Sequence, residues 1–383
     1  MNLKAPATRN RWVDYLRSGI TVLVVAHHSA LAYTTFARFD KVAYIRSTHP
    51  VVDIKRWVGL DIFENFNDVF FMFLMFFIGG LFLPKSIEKK GPPTFIKDRV
   101  YRLLIPFLLG GTLLMLIAYF PSYYLAHNDA GIVRYITDFF SVERWPVGPP
   151  WFIWVLFAFN LVFALLYPFA GQWLKWLGKA QWLQGRGKTT FVLTVYIMTW
   201  ILYVPVAYAI GAGIWTGWGP FDFQLSRVLA YFGYFMLGVL VGYTDFNNGV
   251  FSKDVTLVKR WKSWVLLSLL LYTALTLNNR LHMLSKMGYY SLYVASCTAS
   301  CIAFITCFRR FVSTPVYWWD SLSENAYLIY LIHYVFVTWI QFALLDLNIP
   351  AFVKFLVVFP SSLMLSWGLS ILLRRIKLVR KYL

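Results

Sequence analysis

Long apolar runs separated by short polar loops recur along nearly the whole chain, and they restrict it to a membrane-embedded helical fold. Hydrophobic residues make up 59% of the 383 residues and charged residues only 14%. A run of about 20 apolar residues crosses a bilayer as a helix, because unpaired backbone groups are costly in hydrocarbon. We therefore predict an all-α polytopic membrane helical bundle of about ten transmembrane helices, forming a single domain over residues 1–383. The predicted spans are residues 16–36, 61–83, 103–125, 150–170, 189–210, 225–246, 263–278, 289–308, 326–346 and 351–373.

The net charge of +19 at pH 7 is explained by the positions of the basic residues. If the N-terminus is cytoplasmic, most of the 36 Lys and Arg residues lie in inner segments. This bias is the positive-inside pattern, so both termini are predicted to be cytoplasmic. Membrane lipids are therefore the expected surroundings, and a nucleic-acid partner is not expected. The three cysteines all lie in one apolar run, so neither a disulfide framework nor a metal site is expected.

A histidine and an arginine share one face of the first predicted span. Arg17 and His28 are separated by roughly 1100° of helical turn, so they point the same way, about 16 Å apart along the axis. Asp14 lies one turn before Arg17 on that side, whereas the adjacent His27 points about 100° away. Ionisable side chains at bilayer depth are costly and persist mainly where they have a function. Arg17 and His28 are therefore the first candidates for chemistry.

Two further arginines mark the inner end of the third predicted span. Arg99 and Arg102 are three positions apart, so they share a helical face, at a depth similar to that of Arg17. Clustered guanidinium groups bind phosphates through paired hydrogen bonds. The three arginines therefore favour a site for an anionic cytosolic donor, with snorkelling and orientation in the membrane as the alternative for Arg99 and Arg102.

Two acids in the second predicted span lie at a depth comparable to that of His28. Glu64 and Asp68 are four positions apart and share a face. An acid that orients a histidine and raises its basicity is a common general-base arrangement. We therefore predict that Glu64 or Asp68 pairs with His28. A structural polar contact between helices is the alternative, and it is preferred for Asn65 and Asn67.

A second histidine lies in the ninth predicted span. Tyr330 and His333 form a polar stripe on an otherwise apolar helix. By spacing alone, such a buried histidine with a tyrosine neighbour is more often structural than catalytic. Trp151 is expected as an interfacial anchor. Gly238 and Gly242 are expected to form a close helix-packing pair.

Together these motifs resemble the acyltransferase 3 family of polytopic membrane acyltransferases. The matching features follow the family order and run from the first span to the ninth. They are Asp14-x-x-Arg17 with His28, Arg99-x-x-Arg102 before Pro106, Trp151-Phe152, and Tyr330 with His333. The Gly148–Trp154 segment is most similar to the glucan-modifying branch, of the periplasmic-glucan type.

The resemblance implies a membrane-bound O-acyltransferase of the bacterial cytoplasmic (inner) membrane. It would move an acetyl or succinyl group from cytosolic acyl-CoA to a hydroxyl of an extracytoplasmic carbohydrate, such as a glucan. No permanently bound cofactor and no metal are expected, because the thioester supplies the driving force. The implied catalytic residues are His28, Glu64 and Asp68, the CoA-binding residues are Arg17, Arg99 and Arg102, and the supporting residues are Asp14, Trp151, Tyr330 and His333. Direct transfer and an acyl-histidine intermediate are both compatible with these residues.

Two other classes of function use similar residues. A transporter or proton-coupled permease also places His, Asp and Arg side chains within the membrane. The sequence lacks the internal repeat and the matching pair of broken helices that are typical of transporters. A non-catalytic scaffold is the third possibility. Binding of CoA distinguishes an acyltransferase from a permease for small solutes.

Overall fold

The computed structural model describes residues 10–184, 188–244 and 249–383, which are largely helical. In chain order the helices are α1 (Arg11–Leu31), α2 (Val58–Gly80), α3 (Leu83–Lys90), α4 (Pro92–His127), α5 (Ile132–Ser141), α6 (Trp151–Gly178), α7 (Lys188–Ile210), α8 (Leu225–Gly242), α9 (Thr256–Lys259), α10 (Trp261–Leu281), α11 (Lys286–Phe311), α12 (Tyr317–Ala343), α13 (Ala351–Leu373) and α14 (Lys377–Tyr382). Strands β1 (Trp215–Thr216) and β2 (Phe223–Gln224) pair in antiparallel orientation between α7 and α8.

Each predicted span corresponds to a helix, so the all-α polytopic bundle is confirmed. Within the described ranges, eight helices are long and apolar enough to cross a membrane. The helices α1 and α10 are also 21 residues long, but their polar residues make them less apolar than the other eight. In α1 those polar residues include three candidate functional side chains, those of Asp14, Arg17 and His28.

Two of the segments between the predicted spans contain helices. The inner segment before the third span forms α3 and the first turns of α4, and the segment after α4 contains α5. Both α3 and α5 are short and amphipathic, and each buries only a few side chains. Helices of this kind suit a position along a membrane surface, where one face is apolar and the other polar.

The helix α1 lies inside the bundle, where it packs against α2, α11, α12 and α13. Among the apolar helices α2 is the most buried and α13 the least, so α13 faces the surrounding lipid. The contact between α2 and α8 is especially close. A Cβ atom on Gly238 would lie 2.0 Å from the carbonyl oxygen of Phe77, and one on Gly242 would lie 2.2 Å from that of Leu81. The predicted role of Gly238 and Gly242 in helix packing is therefore confirmed.

The loops at the end of the bundle where α1 ends are tied together by buried polar groups. The carboxylate of Glu143 accepts hydrogen bonds from the backbone N–H groups of Tyr44 (3.1 Å) and Ile45 (2.7 Å). Burial raises the pKa of the Glu143 carboxyl above its ordinary value. The Nζ atom of Lys354 in α13 lies 2.5 Å from a carboxylate oxygen of Asp53, and both side chains are buried. These contacts fix the loop of residues 32–57 to the helical bundle.

Candidate active site

Two histidines, one from α1 and one from α12, face each other inside the bundle. The Nε2 atom of His333 lies 3.2 Å from Nδ1 of His28. The Nδ1 atom of His333 lies 2.7 Å from the carbonyl oxygen of Tyr330, and a carbonyl oxygen can only accept a hydrogen bond. The proton of a neutral His333 therefore lies on Nδ1, and its Nε2 atom presents a lone pair to His28.

The same reasoning identifies the ring nitrogen of His28 that carries the proton. Its Nδ1 atom lies between two acceptors, the Val24 carbonyl oxygen at 2.9 Å and the Nε2 lone pair of His333. Nδ1 is therefore protonated, and Nε2 carries the free lone pair. Among the described residues none forms a hydrogen bond with Nε2 of His28. A neutral imidazole with an unoccupied Nε2 lone pair is the form that a general base needs.

The two acids predicted beside His28 have other partners. The Oε1 atom of Glu64 lies 3.6 Å from Nε2 of His27. Asp68 receives two hydrogen bonds from Arg227, at 2.8 and 2.6 Å. The predicted contact of Glu64 or Asp68 with His28 is therefore corrected. The helix α2 packs on the side of α1 where His27 points, about 100° around the axis from His28, and α12 supplies the partner of His28 instead.

At the opposite end of α1, the structure brings the three predicted arginines together. Arg17, Arg99 and Arg102 all line one cavity of about 300 Å³. Asp14 also lines the cavity and lies 3.4 Å from a guanidinium nitrogen of Arg17. We call this end of the bundle the arginine end, and the end where α1 terminates the histidine end. The arginine end therefore offers a concave cationic site of the kind that binds phosphates.

The cavity extends along α1 and α12 towards the histidines. Its lining includes Thr21, seven positions before His28, which is about 10 Å along a helix axis. It also includes Tyr330, which lies one helical turn before His333. The cationic cavity and the histidine pair are therefore arranged in sequence along the same two helices.

The local structure of α4 explains the placement of Arg102. The helix contains two π-helical segments, Val100–Leu104 and Gly110–Leu114. Pro106 has no N–H group, so the Arg102 carbonyl four residues earlier lacks its usual helical donor. The hydroxyl of Tyr327 in α12 donates to that carbonyl at 2.9 Å. Tyr327 also lines the cavity, so this contact anchors the arginine-bearing turn to α12.

The acid adjacent to Arg99 in the chain, Asp98, forms its ion pair with Lys90 and not with Arg99 or Arg102. Among the described residues, neither arginine forms an ion pair within 4 Å. The Arg99 guanidinium lies over the ring of Phe95, 4.7 Å from its centroid, and its buried Nε atom has no hydrogen-bond partner. The cavity is therefore suited to an anionic ligand.

The remaining predicted residues border the histidine end. Trp151 begins α6, and its ring lies edge-on to Trp215 with centroids 5.4 Å apart; it does not line the arginine cavity. The hydroxyl of Tyr330 donates to the carbonyl of Pro149. This bond ties the turn at Gly148 to α12, one helical turn from the histidine pair.

Two residues near the site were not identified as functional from the sequence. Arg227 is the partner of Asp68, and an arginine within an apolar span is itself a signal for an acidic partner. His49 belongs to the loop of residues 32–57, and its ring lies 5.3 Å from that of Tyr334, which in turn contacts His28. Burial lowers the pKa of His49 to about 3, so it is neutral. No sequence pattern places this loop histidine beside α12.

Comparison with known protein families identifies an acyltransferase domain over most of the chain. The acyltransferase domain of the Acyl_transf_3 family matches residues 10–372 of the chain. No curated protein and no solved structure shows detectable similarity to it. The matched range extends from the residue before α1 into α13, so it includes the histidine pair and the arginine cavity, and it favours an enzyme over a permease or a scaffold. The chain belongs to the Acyl_transf_3 family, and the protein is a multi-pass membrane acyltransferase.

Proposed function

We propose that the protein transfers an acyl group from acyl-CoA, bound at the arginine end, to a hydroxyl of a carbohydrate that enters from the histidine end. The observation that carries the proposal is the alignment of the cationic cavity and the His28–His333 pair along α1 and α12. In a bacterial cytoplasmic membrane the arginine end would face the cytoplasm, and both termini would lie there. The basic residues of the inner segments support this orientation.

The proposed donor site follows from the positive charge of the arginine cavity and from the distance between that cavity and His28. Arg17, Arg99 and Arg102 would hold the phosphates of CoA, since guanidinium groups form paired hydrogen bonds with phosphate oxygens. The flexible arm of the donor would extend through the cavity past Thr21 and Tyr330. Its thioester must then reach about 10 Å beyond Thr21 to meet His28.

The chemistry uses His28 as general base. Its Nε2 atom takes the proton of the acceptor hydroxyl while the hydroxyl oxygen attacks the thioester carbonyl carbon. The carbon–sulfur bond then breaks, the new ester forms, and the departing thiolate takes the proton from His28 to give free CoA. The positive charge that develops on His28 is stabilised through Nδ1–H by the Val24 carbonyl and the lone pair of His333.

In this scheme Glu64 acts on His28 indirectly, through His27. It contacts His27, whose ring centroid lies 5.3 Å from that of His28. Through this contact Glu64 would position the His27 ring beside His28. Asp68 is engaged with Arg227, and we assign it no part in the proton transfer.

The acceptor is proposed to be a glucan of the cell envelope. The reason for this choice is the sequence resemblance of the Gly148–Trp154 segment to the glucan-modifying branch of the family. This segment borders the histidine end, where Tyr330 holds the carbonyl of Pro149. Acetyl and succinyl are the two acyl groups to compare.

A CoA-release assay on purified, reconstituted protein tests the proposal. Acetyl-CoA and succinyl-CoA are supplied with an extracted envelope-glycan fraction, and free thiol is measured for the wild type, His28→Asn and His282→Asn. His282 is exposed at the end of α10, so its replacement is the matched control. We expect glycan-dependent thiol release that falls at least about 100-fold in His28→Asn and stays unchanged in His282→Asn. Equal activity of His28→Asn and the wild type would remove His28 from the mechanism, and no turnover of either donor would contradict the proposed donors.

A further inference from the structure

A second cavity lies at the histidine end, beside α2. Its volume is about 250 Å³, and it shares no lining residue with the arginine cavity. The lining includes Asn65 near the start of α2, Asn279 near the end of α10 and Tyr289 near the start of α11. All three positions lie at the histidine end of the bundle. Pockets for drug-sized ligands are about 300–1,000 Å³, so this cavity suits a small ligand or one unit of a longer one.

An ion pair in the cavity wall excludes most charged ligands. Arg227 is 5% exposed, and both of its terminal nitrogens bind the carboxylate of Asp68, at 2.8 and 2.6 Å. The guanidinium also lies 5.5 Å from the ring centroid of Tyr293. An anion would meet the carboxylate of Asp68, and a cation would meet Arg227, which already occupies the ring face that a quaternary ammonium group would use. The cavity is therefore suited to a neutral ligand.

The rest of the lining combines aromatic rings with hydrogen-bonding groups. Four tyrosines and three side-chain amides line the cavity: Tyr203, Tyr272, Tyr289, Tyr293, Asn65, Asn279 and Gln224. The buried Nε atom of Arg227 has no hydrogen-bond partner, and buried donors are normally paired. The side chain of Asp68 remains 37% exposed, so its carboxylate can accept further hydrogen bonds.

These features match the chemistry of a sugar ring. A sugar presents apolar C–H faces that pack on aromatic rings, and hydroxyl groups that donate to carboxylates and accept from N–H groups. The cavity is also close to the histidine site. Asp68 lies one helical turn from Glu64, which contacts His27, the neighbour of His28 in the chain.

We propose that this cavity binds one neutral sugar ring of an oligomeric carbohydrate acceptor, at a position separate from the ring that is acylated. The inference rests on the proposed function in one respect, that the acceptor is a carbohydrate. A ring held beside Asp68 and Tyr289 would increase the affinity for longer acceptors without taking part in the chemical step. The expected signature is a change in the KM for the glycan with little change in kcat.

Direct binding to the full-length, detergent-solubilised protein tests the inference. The probes are neutral glucose hexamers of several linkages, with glucose, inorganic phosphate and phosphocholine for comparison. The variants are Tyr289→Leu and Asn279→Ala, both at the cavity rim. The matched controls are Tyr124→Leu and Asn348→Ala, which are exposed at the histidine end and line neither cavity.

We expect saturable binding of at least one hexamer, weakened about tenfold by Tyr289→Leu, about 1.4 kcal/mol, and left unchanged by both controls. The inference is overturned if no hexamer binds, if both cavity variants bind like the wild type, or if the variants weaken phosphate or phosphocholine binding instead. If the cavity variants weaken hexamer binding but no CoA is released in the presence of the glycan, the proposed function is contradicted and the sugar site is supported. Glycan-dependent CoA release with an unchanged KM in both variants would contradict the site alone.

Discussion

At the scale of single residues, the site depends on how two imidazole rings share their protons. The carbonyl oxygens of Tyr330 and Val24 place one proton on Nδ1 of each histidine. The lone pair of His333 then points at His28, and the lone pair of His28 remains free. His333 has the position of an orienting group, a role more often filled by a carboxylate. A neutral partner needs no compensating charge inside the membrane, where an ionised acid would be costly.

Replacement of His333 tests this positioning role. In His333→Ala the Nδ1–H group of His28 loses one of its two acceptors, so we expect kcat for CoA release to fall about 10- to 100-fold. The KM for acyl-CoA should stay unchanged because the arginine cavity is intact. His333→Gln restores an acceptor oxygen near the position of Nε2 and should recover part of the activity. A purely structural histidine would give equal losses in both variants, together with lower thermal stability.

At the scale of secondary-structure elements, close contacts between helices fix the site. The helix α2 is held against α8 by small residues on both sides, since a Cβ on Gly80 would lie 2.2 Å from the carbonyl oxygen of Phe235. Towards the histidine end, the same two helices carry the ion pair between Asp68 and Arg227, which lies on α8. The helices α2 and α8 are therefore held together by close glycine packing at one end and by an ion pair at the other.

A methyl group at Gly238 tests the α2–α8 contact. The Cβ of Gly238→Ala would lie 2.0 Å from the Phe77 carbonyl oxygen, and a backbone atom cannot move aside as a flexible side chain can. We expect the free energy of unfolding, measured by thermal unfolding in detergent, to fall by about 1–3 kcal/mol. Gly368→Ala is the control, because no atom lies within 4 Å of an added Cβ there. Equal stability of the two variants would mean that the two helices separate readily.

At the scale of the whole molecule, the bundle has two chemically different ends joined by α1 and α12. The arginine end is cationic, while the histidine end is covered by loops tied to the bundle through Glu143 and Asp53. The outermost helix that contributes to this cover is α13, which supplies Lys354. We therefore expect loss of the Lys354–Asp53 ion pair to destabilise all the loops that cover the histidine end.

Lys354→Met tests this connection. Removal of the ammonium group leaves the Asp53 carboxylate buried without its partner, which typically costs about 3–5 kcal/mol. We expect a lower melting temperature in detergent, largely restored when Asp53→Asn is added. Lys41→Met, an exposed lysine of the same loop, should leave the melting temperature unchanged. If the double variant melts no higher than Lys354→Met, the ion pair is not the cause of the loss.

The amino-acid pattern is enough to predict the class of fold and the face of each helix on which a residue lies. Apolar runs of membrane-crossing length specify helices, because no other local structure satisfies the backbone in hydrocarbon. The helical period placed Arg17 and His28 on one face, and the structure keeps that face continuous from the arginine cavity to His333. Gly238 and Gly242 were likewise identified by their small size and spacing.

The choice of which helices face each other follows from the packing of the folded bundle and is not predicted by the sequence pattern. The helical period fixes angles within one helix, but it carries no information on the rotation of that helix relative to its neighbours. The spacing of Glu64 and Asp68 therefore predicts their depth but not their partners, since α2 packs beside His27 and Arg227. Spacing alone predicts a structural role for His333, because its contact with His28 joins residues more than three hundred positions apart. Such contacts are fixed by the packing of the entire bundle, which local spacing cannot express.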